Sequence, residues 1–209
     1  MYKKGRFVVI DGLGKSGKTS IIRMLEQKFS KETTLFTREP GGTAFGLAVR
    51  KILLEGKIVL SPLSHVLIFF AVRRAHIEET IIPALLAGVN VICDRFDSST
   101  DAYNLWGEDA HYLRSLFNVL REYVVSKDVS PYLYVILDVA PKTAYERHQA
   151  TKDATEADKF DDRPLEFFEN VRRGFLEFAA RHNAVVIDAN RPLEVVAEDV
   201  YKAVSRAIA

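Results

Sequence analysis

The chain has 209 residues with 29 basic and 28 acidic side chains, a formal net charge of +1, and one cysteine. That length suits one α/β domain with a large core, and interspersed charge offers no basic stripe for nucleic acid and no polybasic tail for a membrane surface. One cysteine excludes a disulfide framework and a thiolate metal cluster, and no apolar run reaches the roughly 20 residues of a membrane span.

The N-terminal segment moves straight into an apolar run at 7–10 with no leader-like stretch, so a soluble protein of the reducing cytoplasm is expected. That run predicts a buried strand, and apolar residues at helical spacing over 19–29 predict a helix. Between them, Gly12, Gly17, Lys18 and Thr19 fit the P-loop pattern G-x-x-x-x-G-K-S/T. Glycines there turn backbone N–H groups inward around phosphate oxygens, and the helix N-terminus adds a favourable dipole. Lys18 is placed to reach the terminal phosphates and Thr19 to hold Mg²⁺. Gly14, Ser16 and Ser20 complete the candidate nucleotide-binding turn. The same residues also read Gly12-x-Gly14-x-x-Gly17, the dinucleotide fingerprint. That pattern has no use for Lys18-Thr19 and wants an acid about 20 positions on, at the end of the second strand, to hold a ribose. Here the second strand ends Thr37-Arg38-Glu39-Pro40, with arginine beside the acid and proline next. The P-loop is the better reading, and it implies a nucleoside triphosphate.

Further strand-like runs fall at 33–37, 89–93, 132–137 and 184–187, rich in Val, Ile and Leu rather than alternating. With helical patterns in the intervals, they predict a parallel sheet covered on both faces, five strands in a three-layer α/β arrangement. Pro62 and Pro83 bracket a long helical stretch at 63–82, Pro141 starts a helix, and Pro192 introduces the last one. Cys93 lies in an apolar run and reads as an inert core thiol. Ser98, Ser99 and Thr100 look like a capped helix start. Residues 149–163 are almost wholly polar, either a solvated loop or, as favoured here, a lid that excludes water during phosphoryl transfer.

In such a sheet, functional groups gather at the carboxyl ends of the strands. The second strand ends in Arg38-Glu39, the third in Asp94-Arg95, and the first in the P-loop. Asp94 is thus a candidate for Mg²⁺ through water, and Arg38 and Arg95 for a clamp on a second phosphate. Phe69 and Arg73, four apart on one helix face, suit stacking on a base and reading its edge, although composition alone makes Phe69 a core aromatic. No H-x-x-x-H or H-E-x-x-H spacing supports zinc, and no N-K-x-D motif supports guanine.

Taken together, GLGKSGKT at 12–19, FTREPGGT at 36–43, LIFFAVR at 67–73, CDRFDSSTDAY at 93–103 and LDVAPKTAYER at 137–147 resemble thymidylate kinases. The runs at 158–180 and 187–192 are similar to that family's post-lid helix and adenine loop, so the resemblance covers nearly the whole chain. It implies the P-loop NTPase fold, ATP and dTMP as partners, Mg²⁺, and a homodimer. By position, Lys18 and Thr19 hold ATP phosphates and the metal, and Arg38 takes the acceptor phosphate. Phe69 stacks on thymine and Arg73 reads its edge, while Ser99 and Thr100 line the base pocket. Tyr103 lies against the sugar, Asp94 organises the metal, and Arg95 bridges donor and acceptor phosphates. Arg147 and Asn190 belong to the ATP side.

The chain departs from the family in the P-loop. Gly14 stands where the family usually has an acid, and the next residue, Lys15, is basic, like members that keep a catalytic arginine there. The lid segment is poor in arginine, with Arg147, Lys152, Lys159 and Arg163 as its candidates. Lys15 is therefore expected to supply transition-state charge from the P-loop. Phe96 replaces the tyrosine or histidine common after Asp-Arg. These departures leave a different deoxynucleotide or nucleoside acceptor, or a catalytically weak regulatory protein, as rival expectations.

Overall fold

Five all-parallel strands form one sheet among the described residues, in the order β2-β3-β1-β4-β5. The strands are β1 (Phe7–Gly12), β2 (Thr34–Arg38), β3 (Asn90–Asp94), β4 (Leu133–Asp138) and β5 (Ala184–Asp188). The structure is a computed structural model that describes residues 4–55, 58–125, 129–149 and 163–209. Every residue of β1 is buried, whereas the edge strand β5 leaves Val185 and Val186 exposed. Apolar side chains at successive positions suit strands covered on both faces.

The strands run one or two residues further at their carboxyl ends than the apolar runs predict. Pairing is a backbone property, so it continues past the last apolar side chain: Ile10 and Arg38 both face Asp94, and Asp11 faces Ile136. This extension carries charged groups to the edge where the site forms.

Helix α1 (Lys18–Lys28) leads from β1 to β2 across β3. The connections through α2 (Ala44–Glu55), α3 (Pro62–His76), α4 (Ile82–Leu86), α5 (Asp97–Ser99), α6 (Arg114–Val124), α7 (Pro141–Gln149) and α8 (Leu165–Arg181) step the opposite way. Right-handed crossovers therefore place α1 on one face and the later helices on the other. The C-terminal α9 (Leu193–Ile208) packs with α1, and α8 packs on the helix that follows β3. The chain reverses direction between β1 and β3, which opens a crevice at their carboxyl ends.

Two local expectations are corrected. The helix predicted to end at Pro83 instead passes through a π turn, Ile77–Ile81, and continues as α4 to Leu86. Pro83 sits in the first turn after that π segment, where a missing N–H costs little. Nor do Ser98 and Ser99 cap a helix: α5 has no side-chain cap and merges into a second π segment, Thr100–Gly107. Their hydroxyls are claimed by Asp11 on β1, at 2.6 and 2.9 Å. The polar stretch predicted as a lid lies almost wholly outside the described residues.

Candidate active site

The crevice holds a cavity of ≈ 970 Å³ that extends from the P-loop to the face of α3. Its P-loop end follows from backbone geometry. Gly12 and Gly17 have φ of +142° and +92°, and a Cβ on Gly12 would run into the Leu137 carbonyl on β4. Lys15, at φ +60°, takes the same left-handed region without glycine's freedom. Lys18 is buried, and its Nζ donates to the carbonyl oxygens of Gly12 (2.9 Å) and Leu13 (3.2 Å). No side chain caps the start of α1, so its first-turn N–H groups are left for a ligand. Thr19 and Ser20 line the cavity beside them.

At the centre, Asp94 and Arg95 project from the end of β3. Arg95 is another non-glycine residue at positive φ, +67°, pinned by its N–H to the Ile10 carbonyl at 3.0 Å. Its guanidinium donates to Ser99 Oγ at 3.0 Å and lies over the Tyr103 ring at 5.3 Å. Beneath it sits Asp11, fully buried, its carboxylate 3.6 Å from Arg95 Nη1. Asp94 Oδ1 is a buried acceptor with no partner, which fits a cavity that takes a hydrated cation. Among the described residues no cluster of three or more His, Cys, Asp or Glu could hold a metal alone.

The far end is built by α3 and the Thr100–Gly107 segment. Phe70 points into the core, whereas Phe69, half-buried, forms a wall of the cavity beside His65. Burial holds the His65 imidazole below its ordinary range, outweighing the pull of Glu108. Arg73 is buried between the rings of Phe70 (5.1 Å) and Phe96 (4.9 Å). Its Nη2 donates to Thr100 Oγ1 at 3.1 Å, while Nη1 has no partner. Asn104 Nδ2 is likewise buried, unpartnered and at the cavity. Burial raises the Tyr103 phenol pKa despite the opposing Arg95. The phenol therefore stays protonated, and its oxygen accepts the Gly14 N–H at 2.8 Å.

Comparison with known proteins decides the family. A thymidylate kinase family model matches residues 10–200. The thymidylate kinase of Chlamydia felis is 37% identical over 195 residues, covering 90% of this chain and 91% of that protein. The thymidylate kinase of Nitrosospira multiformis is 36% identical over 207 residues, covering 97% and 98%. A solved thymidylate kinase from Ehrlichia chaffeensis superposes with a TM-score of 0.76 at 30% identity, covering 97% of this chain and 99% of that one.

The chain belongs to the thymidylate kinase family. It is a nucleoside monophosphate kinase, a phosphotransferase on the P-loop NTPase fold.

The kinase gathers most of the predicted residues around one cavity. Gly14, Lys15, Gly17, Lys18, Thr19, Ser20, Arg38, Phe69, Arg73, Asp94, Arg95, Ser99, Thr100, Tyr103 and Arg147 all line it. Arg147 Nη1 donates to the Lys15 carbonyl at 3.2 Å, joining α7 to the P-loop. Gly12, Ser16 and Asn190 do not line the cavity. Gly12 works through the strand-end turn, and Ser16 Oγ is buried without a partner. Asn190 braces a loop, its Oδ1 accepting from Ala140 N and its Nδ2 donating to Asp188. Phe96, where the family often has a polar ring, is a core residue that packs edge-on against Phe7 and covers one face of Arg73.

Sequence reasoning missed Asp11, Glu39 and Asn104. Asp11 had a signal, a carboxylate closing an otherwise apolar strand. Glu39 was visible only as Arg38's neighbour, and Asn104 had no signal beyond a place one residue after Tyr103.

Proposed function

We propose that this kinase transfers the γ-phosphoryl group of ATP to dTMP, giving dTDP and ADP, by direct in-line displacement. The observation that carries the acceptor assignment is the buried Arg73 guanidinium, packed against the rings of Phe70 and Phe96 with Nη1 unpartnered beside Thr100. An orphaned, oriented N–H donor next to an aromatic wall suits a pyrimidine carbonyl and disfavours an exocyclic amine. Phe69 stacks on that ring. Tyr103 faces the sugar, and Arg38 holds the acceptor phosphate. Lys18, Gly17 and the first turn of α1 take the ATP phosphates, and Arg95 and Lys15 face the transferred group. The acceptor oxygen is anionic at neutral pH, so no strong general base is needed. One phosphoanhydride bond breaks as another forms, and catalysis is alignment and charge neutralisation. Thr19 and Asp94 would hold Mg²⁺, which neutralises phosphate charge when bound.

Exposed apolar side chains on neighbouring helices, Leu47 and Ile52 of α2, Leu63 and Leu67 of α3, and Val119 of α6, support a homodimer. No helix among the described residues is long and apolar enough to cross a membrane. A cytoplasmic enzyme fits the single buried cysteine. The test is ADP release with ATP, Mg²⁺ and each of dTMP, dUMP, dCMP, dGMP, UMP and thymidine. Clear preference for dTMP is expected, and preference for an amine-bearing base would overturn the assignment of Arg73.

A further inference from the structure

We infer that Glu39, backed by His76, forms a positioning pair that holds Arg73 in its base-reading orientation and ties it to the end of β2, which bears Arg38. Glu39 stands on the loop that follows β2, not on the helix of Arg73, and both side chains are nearly fully buried. One of its oxygens, Oε2, accepts from Arg73 Nε at 2.9 Å and lies 2.8 Å from Nη2. With Nε and Nη2 both held and the rings of Phe70 and Phe96 packed 5.1 and 4.9 Å from the guanidinium carbon, the planar group sets the direction of the remaining nitrogen, Nη1. The other carboxylate oxygen, Oε1, meets His76 Nδ1 at 3.1 Å, and His76 Nε2 meets Thr37 Oγ1 at 2.8 Å. A carboxylate only accepts, so Nδ1 carries a proton and donates, and Nε2 meets the Thr37 hydroxyl on the other side of the ring.

The pair also sets the loop itself. The Glu39 N–H donates to the Asp94 carbonyl at 2.9 Å, fixing the turn after β2 against the end of β3. The His76 ring fills the space in front of Gly42, which sits at φ +74°, so close that a Cβ there would collide with it. Thr80 closes the far side by donating to the Gly42 carbonyl at 2.9 Å. A single chain, Thr37–His76–Glu39–Arg73–Thr100, buried from His76 onward, thus runs from β2 to the π segment. It passes between the strand end that meets the acceptor phosphate and the arginine that meets the base. A loosely held arginine would sample rotamers, and its one free nitrogen would no longer exclude the wrong base edge.

The inference rests on the reading that Arg73 meets the acceptor base, so Arg73→Ala is measured first. If that variant leaves KM for dTMP unchanged, the base assignment fails and the positioning role fails with it. Given a raised KM there, Glu39→Gln and His76→Gln are each expected to raise KM for dTMP by about tenfold or more. The turnover number should stay within about threefold, KM for ATP within about twofold, and preference for dTMP over dCMP should shrink. On the Arg73→Ala background, Glu39→Gln should raise KM no further, because the arginine it orients is gone. Breaking a buried ion pair also lowers stability, so Val200→Ala, a core change in α9, serves as a comparison of reduced melting temperature. A merely structural pair would behave like Val200→Ala: lower melting temperature, unchanged KM, unchanged dTMP/dCMP ratio. That result would overturn the inference, and if Glu39→Gln does not fold, His76→Gln alone decides.

Discussion

Asp11→Asn tests how the centre of the site is held. The wild-type carboxylate takes the Gly12 N–H (2.8 Å) and Ser99 hydroxyl (2.9 Å) on one oxygen. The other takes the Ser98 hydroxyl (2.6 Å) and, at 3.4 Å, the Phe96 N–H. Asparagine has one acceptor oxygen. Its less costly orientation keeps that oxygen on Gly12 and Ser99 and turns the amine toward Ser98 and Phe96. The Phe96 N–H then has no acceptor, a loss of about 1–3 kcal/mol for a buried group. The bonds that remain lose their charge assistance, adding about 1 kcal/mol. A total of about 2–4 kcal/mol corresponds to a drop of roughly 4–16 °C in melting temperature for a chain of this size. Arg95 also loses the charge that faces it at 3.6 Å, so turnover should fall by about tenfold or more as its guanidinium loosens. Thermal melting by circular dichroism and steady-state kinetics measure both. A melting temperature within 2 °C of wild type, with unchanged turnover, would refute the account, since it would mean that the converging donors need no anion.

The remaining predictions concern the P-loop and the core thiol. Lys15→Ala keeps the same left-handed backbone demand and removes only the charge, so turnover should fall roughly 10²-fold while ATP binding persists; turnover within about twofold of wild type would leave Lys15 without a catalytic role. Burial, reinforced by the nearby Glu39 and Asp94 charges, pushes the Cys93 thiol well above its ordinary value of 9.0. The native chain should therefore resist a thiol-specific disulfide reagent at pH 8 and react fully in denaturant. Because the folded state disfavours the thiolate that the unfolded chain forms freely, Cys93 contributes stability below pH 9.0 that is lost as pH rises further. The alkaline fall in melting temperature should accordingly be shallower in Cys93→Ala.

The sequence alone determined the sheet, the P-loop and the clustering of charge at strand ends, because each is written in local order. Five apolar runs between helical patterns specify doubly covered parallel strands. A glycine-rich turn followed by Lys18-Thr19 specifies a phosphate cradle, since only backbone without Cβ makes that turn. Arg38, Asp94 and Arg95 were legible because parallel strands all aim their carboxyl ends the same way. What depended on contacts between distant segments was not legible. Composition placed Phe69 in the core and only the family resemblance turned it toward a base; the packing of α3 sends Phe70 inward and leaves Phe69 at the cavity. Ser98 and Ser99 carry the composition of a cap, but a carboxylate 88 positions before Ser99 takes their hydroxyls. Asn190, similar in sequence to an adenine-loop residue, accepts from the N–H of Ala140, 50 positions before it, a partner that only the fold supplies. Glu39 joins His76, 37 positions on, only when β2 and α3 come together. A periodic pattern needs just its own segment to be read, whereas a buried hydrogen bond needs both partners, and only the fold says which they are.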